Sequence, residues 1–513
     1  MKNKLKESKL LQNASVVSLL AILGYQILYL LIPFQVFTER YHLSLLSPAL
    51  ALMGFGILLL NLLVNRRFLE LRSCWLRLLI LAVLTISSLV HYRYGLVDNI
   101  KCLIWQCVQM LLIAGLISQN FEIHWDRIFK TVFIIAACIL AVANLVSFVQ
   151  YFTIKGYNVN VGGFKIRQGL QEGRLFGIYN NPNESGVISV VILIFSIYYL
   201  LRSKNVWLKV VYGFFAAESM VMATLSGSRN IVVAGSVTAF LLCVFLIPHR
   251  SVFQKITGKG MKIVLGIVTG LLAAAVTIGA FSLTRDAFSE LAVQLHSSDH
   301  SDSSIGSTDE TSSVSSETED SSVQEEEDAL TENEENPQQD GSDAFEREDT
   351  DAQNISNNRF AIWKDYLAIL YNEPLLAVLG ASPAGYMQYI MQNYPDYYIV
   401  SHMVAYYPDM IAHNRIYDTH NAYISAWISG GTVVLLLVIV FLLNIVIRSL
   451  RCLYKQETIS RELILELSVL AFLLIASFFS TDLFFKCTFS SVAFWVDCGF
   501  LIRRLRRNAA GTE

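Results

Sequence analysis

Long apolar runs recur along the chain, separated by short polar segments. Twelve of them, near residues 14–34, 45–64, 75–91, 100–118, 128–152, 185–202, 206–225, 230–248, 262–283, 421–447, 463–481 and 487–502, approach the length of a membrane span. A hydrocarbon core about 30 Å thick takes about 20 apolar residues as helix, because no backbone polar group can go unpaired there. The pattern predicts an all-α polytopic membrane protein of about twelve transmembrane helices, helices 1–9 over residues 1–283 and helices 10–12 over 420–513. The third, fourth and twelfth runs carry the weakest apolar signal. The first follows a basic start (Lys2, Lys4, Lys6, Lys9) but is long and ends in Leu31-Ile32-Pro33 without a small-residue cleavage site. It therefore reads as a helix and not as a signal peptide.

The polar segments between the runs are unequal. Thr153–Asn183 is moderate, and Thr284–Thr419, between helices 9 and 10, is very large. Residues 284–357 are mostly Ser, Asp, Glu, Gln and Asn, too poor in apolar side chains to offset their ordering entropy, and are expected to be a disordered acidic insert. Residues 358–419 read differently. Phe360, Trp363, Leu367 and Leu370 recur at helical spacing, and Asn372-Glu373-Pro374 stops that helix. Tyrosine-rich sequence follows from Tyr386 to Tyr417, so this half is expected to be an ordered, amphipathic outer subdomain on the membrane surface. No long internal repeat is found.

Composition agrees with the pattern. Apolar residues make up 54% and charged residues 16%, with a mean hydropathy of +0.47. Soluble chains carry about 25% charged residues, so a soluble enzyme is excluded as the default. The net charge of −3 hides two unlike parts: residues 286–351 hold 22 of the 42 acids and one base, Arg347, leaving a strongly basic body. With the N-terminus inside, 25 of the 39 Lys and Arg fall in short inner segments. That bias orients a twelve-helix chain with both termini cytoplasmic and residues 284–419 outside. The eight cysteines include no CxxC pair and read as buried structural thiols.

Three polar clusters share the expected outer face. The first is Arg174-Leu-Phe-Gly177, then Asn181-Pro182-Asn183 at the start of helix 6. Asn183 reads as that helix's N-cap, but a cap does not explain Arg167 and Arg174, which sit where positive charge is otherwise avoided. The second is Ser226-Gly227-Ser228-Arg229-Asn230, a short turn that opens helix 8. Free amides at a helix start beside an arginine can clamp a phosphate, although short glycine turns are common. The third is Asp418-Thr419-His420-Asn421, where helix 10 begins. His420 is favoured over His413 because its helix start at the boundary holds it in place, and histidine exchanges a proton near neutral pH. Arginines and one histidine, without a DxD-like carboxylate cluster for a metal, suggest metal-free group transfer to a hydroxyl.

Arg174-xx-Gly177 with Asn181-Pro182-Asn183, then Ser226-Gly227-Ser228-Arg229, Arg359-xxx-Trp363, and His420-Asn421 with Gly431-Thr432 downstream, together resemble the O-antigen ligase and polymerase family of bacterial membrane glycosyltransferases. The resemblance covers about residues 170–450. It implies undecaprenyl diphosphate-linked glycan donors, a glycan or lipid acceptor, inversion at the sugar, and neither metal nor other cofactor. It implies that Arg174 and Arg229 hold the diphosphate, with Arg359 and Arg167 as interchangeable candidates, Asn183, Ser228 and Asn421 in support, and His420 activating the acceptor. A bilayer, a flippase and a chain-length regulator are the expected partners, and no nucleic acid is. The acidic insert is a departure from the pattern, and it favours a polymerase over a ligase that receives an anionic lipid.

The alternative is a lipid-linked oligosaccharide flippase or another transporter. Transporters set polar groups near the midplane, often in repeated halves. Among the acids within or beside helices (Glu184, Glu218, Glu466), Glu218 is the most embedded and would mark a proton path. A ligand sensor is a third class, but the short inner segments leave it no output domain.

Overall fold

The computed structural model describes residues 2–64, 68, 71–119, 123–161, 164–246, 258–302, 358–455 and 460–509. Among them, ten helices are long and apolar enough to cross a membrane. Every predicted apolar run falls on helix. α1 (Lys2–Tyr29), α2 (Ile32–Arg40), α3 (Leu46–Val64) and α4 (Leu71–Val90) come first. α5 (Leu96–Cys107) passes through a π-helical turn, Val108–Ile113, into α6 (Ala114–Gln119), and α7 spans Trp125–Phe152. α8 (Pro182–Arg202), α9 (Val206–Leu225), α10 (Arg229–Leu246) and α11 (Lys259–Asp302) complete the first block. The third predicted run is the shorter apolar helix Cys74–Val90, and the twelfth is α19 (Phe489–Ala509); neither is among the ten. Many apolar side chains face outward, Leu63, Val142 and Leu271 among them, as lipid-facing positions do.

α11 runs on to Asp302, so the first residues of the expected acidic insert are helical. The rest of that insert, 303–357, lies outside the described residues.

The segment between α7 and α8 is not a plain loop. It folds as a three-stranded antiparallel sheet, β1 (Gly156–Val161), β2 (Phe164–Gln171) and β3 (Arg174–Gly177). Glu172 and Gly173 both take positive φ (53° and 63°), the conformation of a two-residue hairpin that follows the strand twist. This hairpin fixes where Arg174 leaves the sheet.

Between α11 and α17 lie α12 (Arg359–Asn372), α13 (Pro374–Leu379), α14 (Tyr386–Asn393), α15 (Tyr398–Tyr406) and α16 (Pro408–Ala412). They share a core that includes Ile362, Tyr366, Ile369, Ile390 and Ile399. The expected stripe on α12 holds in part: Leu370 is buried and Trp363 packs against the core, but Phe360 and Leu367 are exposed, and Ile362, Tyr366 and Ile369 are buried as well. The helix carries apolar residues on two faces, and the neighbouring short helices cover the second.

α17 (Ala422–Lys455) is kinked at Gly431, where φ is 70°. A Cβ there would stand 2.0 Å from the Val378 carbonyl oxygen, and one on Gly380 would stand 2.4 Å from the Gly430 nitrogen. Thr432 Oγ1 and Trp427 Nε1 both donate to the Ala377 carbonyl, at 2.8 and 3.1 Å. The Gly430-Gly431-Thr432 stretch thus docks α13 against α17. α18 (Arg461–Ala476) precedes a loop that leads into α19.

Candidate active site

The site grows from helix ends that meet on one side of the bundle. At the start of α8, Gly177 turns the chain with φ 59°, and the Ile178 amide donates to Ser147 Oγ at 3.2 Å. Asn181, not Asn183, caps α8: its Oδ1 accepts from the Asn183 amide at 2.8 Å, with Pro182 in the first turn. Proline at the first helical position pushes the cap one residue upstream of it. Asn183 is thereby released, and its Oδ1 accepts from Arg174 Nη2 at 2.9 Å.

Arg174 Nε donates to the Ser226 carbonyl at 3.2 Å, which joins the sheet to the α9–α10 turn. Gly227 (φ 59°) lies against the arginine's stem, and a Cβ there would come within 2.9 Å of Arg174 Cγ. Ser228 and Asn230 are buried, and the Ser228 hydroxyl and Asn230 Oδ1 have no hydrogen-bond partner among the described residues. Arg229 stands between them, half-buried, as the first residue of α10. The Ser228 hydroxyl, beside the α10 N-terminus, can donate to an anion, whereas Asn230 Oδ1 can only accept.

Asn230 Nδ2 donates to the Phe479 carbonyl at 3.3 Å. The Phe479 ring carries the Arg359 guanidinium at 5.9 Å and packs on Trp363 at 6.3 Å. Trp363 Nε1 donates to the Thr419 carbonyl at 2.8 Å, next to His420. His420 has a φ of 45°, outside the usual range for its type, and Asn421 caps α17 through the Tyr423 and Ile424 amides at 2.9 and 3.1 Å. The cap and the tryptophan hold the histidine from both sides.

Asp418 anchors the next arc. It accepts from the Tyr386 hydroxyl (2.8 Å), its neighbour's amide (2.8 Å), Thr481 Oγ1 (3.1 Å) and Lys486 Nζ (2.7 Å). Burial alone would push its carboxyl up, but Lys486, His420 and Tyr386 together hold it well below the usual carboxylate range. Lys486 is raised against its own burial by Asp418 and Asp482. Asp482 is pushed up by burial, with Ser480 and Lys486 opposing. It faces Glu184, which is hydrogen-bonded to Asn180 beside the α8 cap. Through this electrostatic link the groups form a ring of neighbouring polar residues that comes back to the start of α8, where Asn183 and Arg174 lie.

Burial is the main cause holding His420 below its ordinary value; Arg359 and Lys486 act in the same direction, and Asp418 opposes them. The shift favours the neutral imidazole, the form that can accept a proton.

Of the residues expected from sequence, Arg174, Asn183, Ser228, Arg229, Arg359, His420 and Asn421 lie on this ring. Arg167 does not. It pairs with Glu172 at 2.8 Å on the exposed side of the sheet, across the Phe176 ring from Arg174. His413 is exposed, its Nδ1 against the Asp409 carbonyl at 2.8 Å. Sequence reasoning missed Phe479, Thr481, Asp482 and Lys486. The available signal was an acid and a base in the five-residue gap between the last two apolar runs.

No curated protein and no solved structure matches the chain. A family model described as O-Antigen ligase matches residues 214–439. The match takes in Ser228, Arg229, Arg359, His420 and Asn421, while Arg174, Asn183, Asp482 and Lys486 complete the ring from outside it. The match covers less than half of the chain; it supports the O-antigen ligase family, and with ten helices long and apolar enough to cross a membrane it is consistent with a multi-pass membrane protein.

Proposed function

We propose that this glycosyl-transfer enzyme joins polysaccharide units from undecaprenyl diphosphate-linked donors, with inversion and without a metal, at the outer face of the cytoplasmic membrane. Both termini lie in the cytoplasm. Arg174, Arg229 and Arg359 receive the diphosphate, whose charge grows as the bond to the sugar breaks; preorganised guanidinium groups stabilise that charge. Neutral His420 takes the proton of the acceptor hydroxyl as its oxygen attacks the anomeric carbon. The products are the extended glycan and undecaprenyl diphosphate. Polymerisation on the lipid carrier is preferred to ligation, since the acidic 284–357 segment is ill suited to an anionic lipid acceptor.

The observation that carries this reading is the ring itself, which gathers the half-buried His420 with Arg359 and, further along, Arg174 on β3 and Arg229 at the start of α10. The test is transfer from a purified lipid diphosphate donor in nanodiscs, with chelator present throughout. Inverted product at full rate is expected, and a strict need for divalent metal would overturn the reading. The topology is tested by labelling a cysteine placed at Ser321: label in intact cells is expected, and label only after permeabilisation would overturn the orientation.

One observation favours the transporter reading. Glu218, 5% exposed on α9, accepts from Asn144 Nδ2 and from Ser219 Oγ. Glu218→Gln discriminates: a proton-coupled transporter loses transport, whereas the transferase retains product formation.

A further inference from the structure

A cavity of about 770 Å³ lies inside the bundle, away from the ring. It runs between α8 and α19, from Ile188 and Phe489 to Arg202 and Arg504. At 1.5 Å per residue those helix segments span about 20 Å. α8 starts in the ring and ends at Arg202, so the charged mouth of the cavity is at the opposite end of the bundle. The walls are mostly apolar.

The mouth is not evenly charged. Arg504 pairs with Glu466 through two bonds, at 2.8 and 3.0 Å, and Arg202 pairs with Glu462. Arg127 and Lys204 make no ion pair and no side-chain hydrogen bond among the described residues, and Lys130 lies 5.8 Å from the centre of the Tyr199 ring. Asp126 is the acid left at the mouth. Deeper in the cavity, the Tyr212 hydroxyl (2% exposed) and Asp497 Oδ2 (6% exposed) have no hydrogen-bond partner among the described residues. Both lie about 10 Å below the mouth by helix rise. A polar level beneath a basic rim and above an apolar pocket matches the order of groups in a glycerophospholipid.

We infer that this cavity holds one anionic glycerophospholipid of the leaflet opposite the ring, its phosphate at Arg127, Lys130 and Lys204 and an acyl chain along α8 and α19. Basic pockets between membrane helices take anionic headgroups by charge attraction, and burying an acyl chain along apolar walls adds to the affinity. The Tyr212 hydroxyl can donate to an ester carbonyl, and the Asp497 oxygen takes a lipid hydroxyl or a water admitted with the headgroup. The site is independent of the glycosyl-transfer reading, and its test does not use that reaction.

The experiment is native mass spectrometry of the full chain, released from mixed micelles of phosphatidylglycerol, phosphatidylcholine and undecaprenyl phosphate. One retained phosphatidylglycerol per chain is expected, at least tenfold over either competitor. Ala493→Phe, which fills the cavity, should lower that occupancy at least tenfold. Arg127→Glu with Lys204→Glu should abolish the headgroup preference while leaving thermal unfolding unchanged; both side chains are exposed, so this variant carries the test even if the cavity-filling one fails to fold. Equal retention of phosphatidylcholine by the wild type, preference for undecaprenyl phosphate, or unchanged phosphatidylglycerol binding by the double variant would overturn the inference.

Discussion

The two arcs of the ring use charge in opposite ways. On one arc, Arg174 is positioned by neutral acceptors, the Ser226 carbonyl and the Asn183 amide oxygen. Such bonds fix the direction in which the guanidinium's planar fork points. On the other arc, Asp418 is held by four donors, one of them the Lys486 ammonium. A carboxylate so fully engaged is an anchor and not a base. Under the proposed function, the arginine arc binds the anion and His420, beside Asp418, transfers the proton.

The largest test of that division is His420→Ala. A positioned general base contributes about 10²–10⁴-fold, so transfer should fall by that factor while lipid-linked donor accumulates in the membrane. Wild-type turnover in this variant would remove His420 from the second arc's chemistry and return the transporter reading to the front.

Next in size is the arginine arc. Arg174→Ala or Arg229→Ala should cost about 10²–10³-fold, the scale of one lost charge-stabilising donor. Lysine should restore only part of it, because a single ammonium cannot reproduce the planar fork. Transfer kinetics at matched protein level give the answer, and full activity in both alanine variants would break the clamp.

How far the sequence reached follows the same division. Helix positions were legible because spanning a bilayer demands unbroken apolar length, and little else satisfies it. Arg174, Arg229 and His420 stood out because each interrupts an apolar pattern beside a helix start. Asp418 was seen only as a neighbour of His420, and Lys486 was not seen at all. Their meaning lies in a pairing 68 residues apart, which no local spacing encodes. The cap at Asn181 was misplaced by two residues because the proline rule was outweighed by the run of asparagines. The β-sheet escaped notice because its strands are short and its alternation is weak. The α12 stripe was legible only in part, at Trp363 and Leu370, because both faces of that helix are apolar and only the tertiary partners decide between them.

A smaller and more selective effect links the arcs. Lys486 and Arg359 both lower the His420 value, and Asp418 raises it. Lys486→Met removes a lowering charge and leaves Asp418 without its counter-ion, so His420 should titrate at a higher pH than in the wild type. The base is active only when neutral, so the acid limb of the pH–rate profile should move upward in pH. Arg359→Gln should move it the same way, since Arg359 also lowers the His420 value. An acid limb that stays fixed in both variants would show that the titrating group is not His420.

The smallest expected effect is the control for the whole comparison. His413 lies seven residues before His420 in sequence, and by residue type alone the two are equivalent. In the fold they are not. His413 ends the short helix α16, is exposed, and has its ring nitrogen against a local carbonyl. His420 is gripped by Trp363 through Thr419 and by the α17 cap through Asn421, and it lies against Asp418. His413→Ala removes one exposed local hydrogen bond, worth about 1 kcal/mol at most. Transfer should stay within about twofold of wild type, since 1.4 kcal/mol corresponds to a tenfold change and the site is not touched. A loss comparable to that of His420→Ala, at equal protein level, would mean that the tyrosine-rich subdomain takes part in the chemistry and that the ring has been drawn too small.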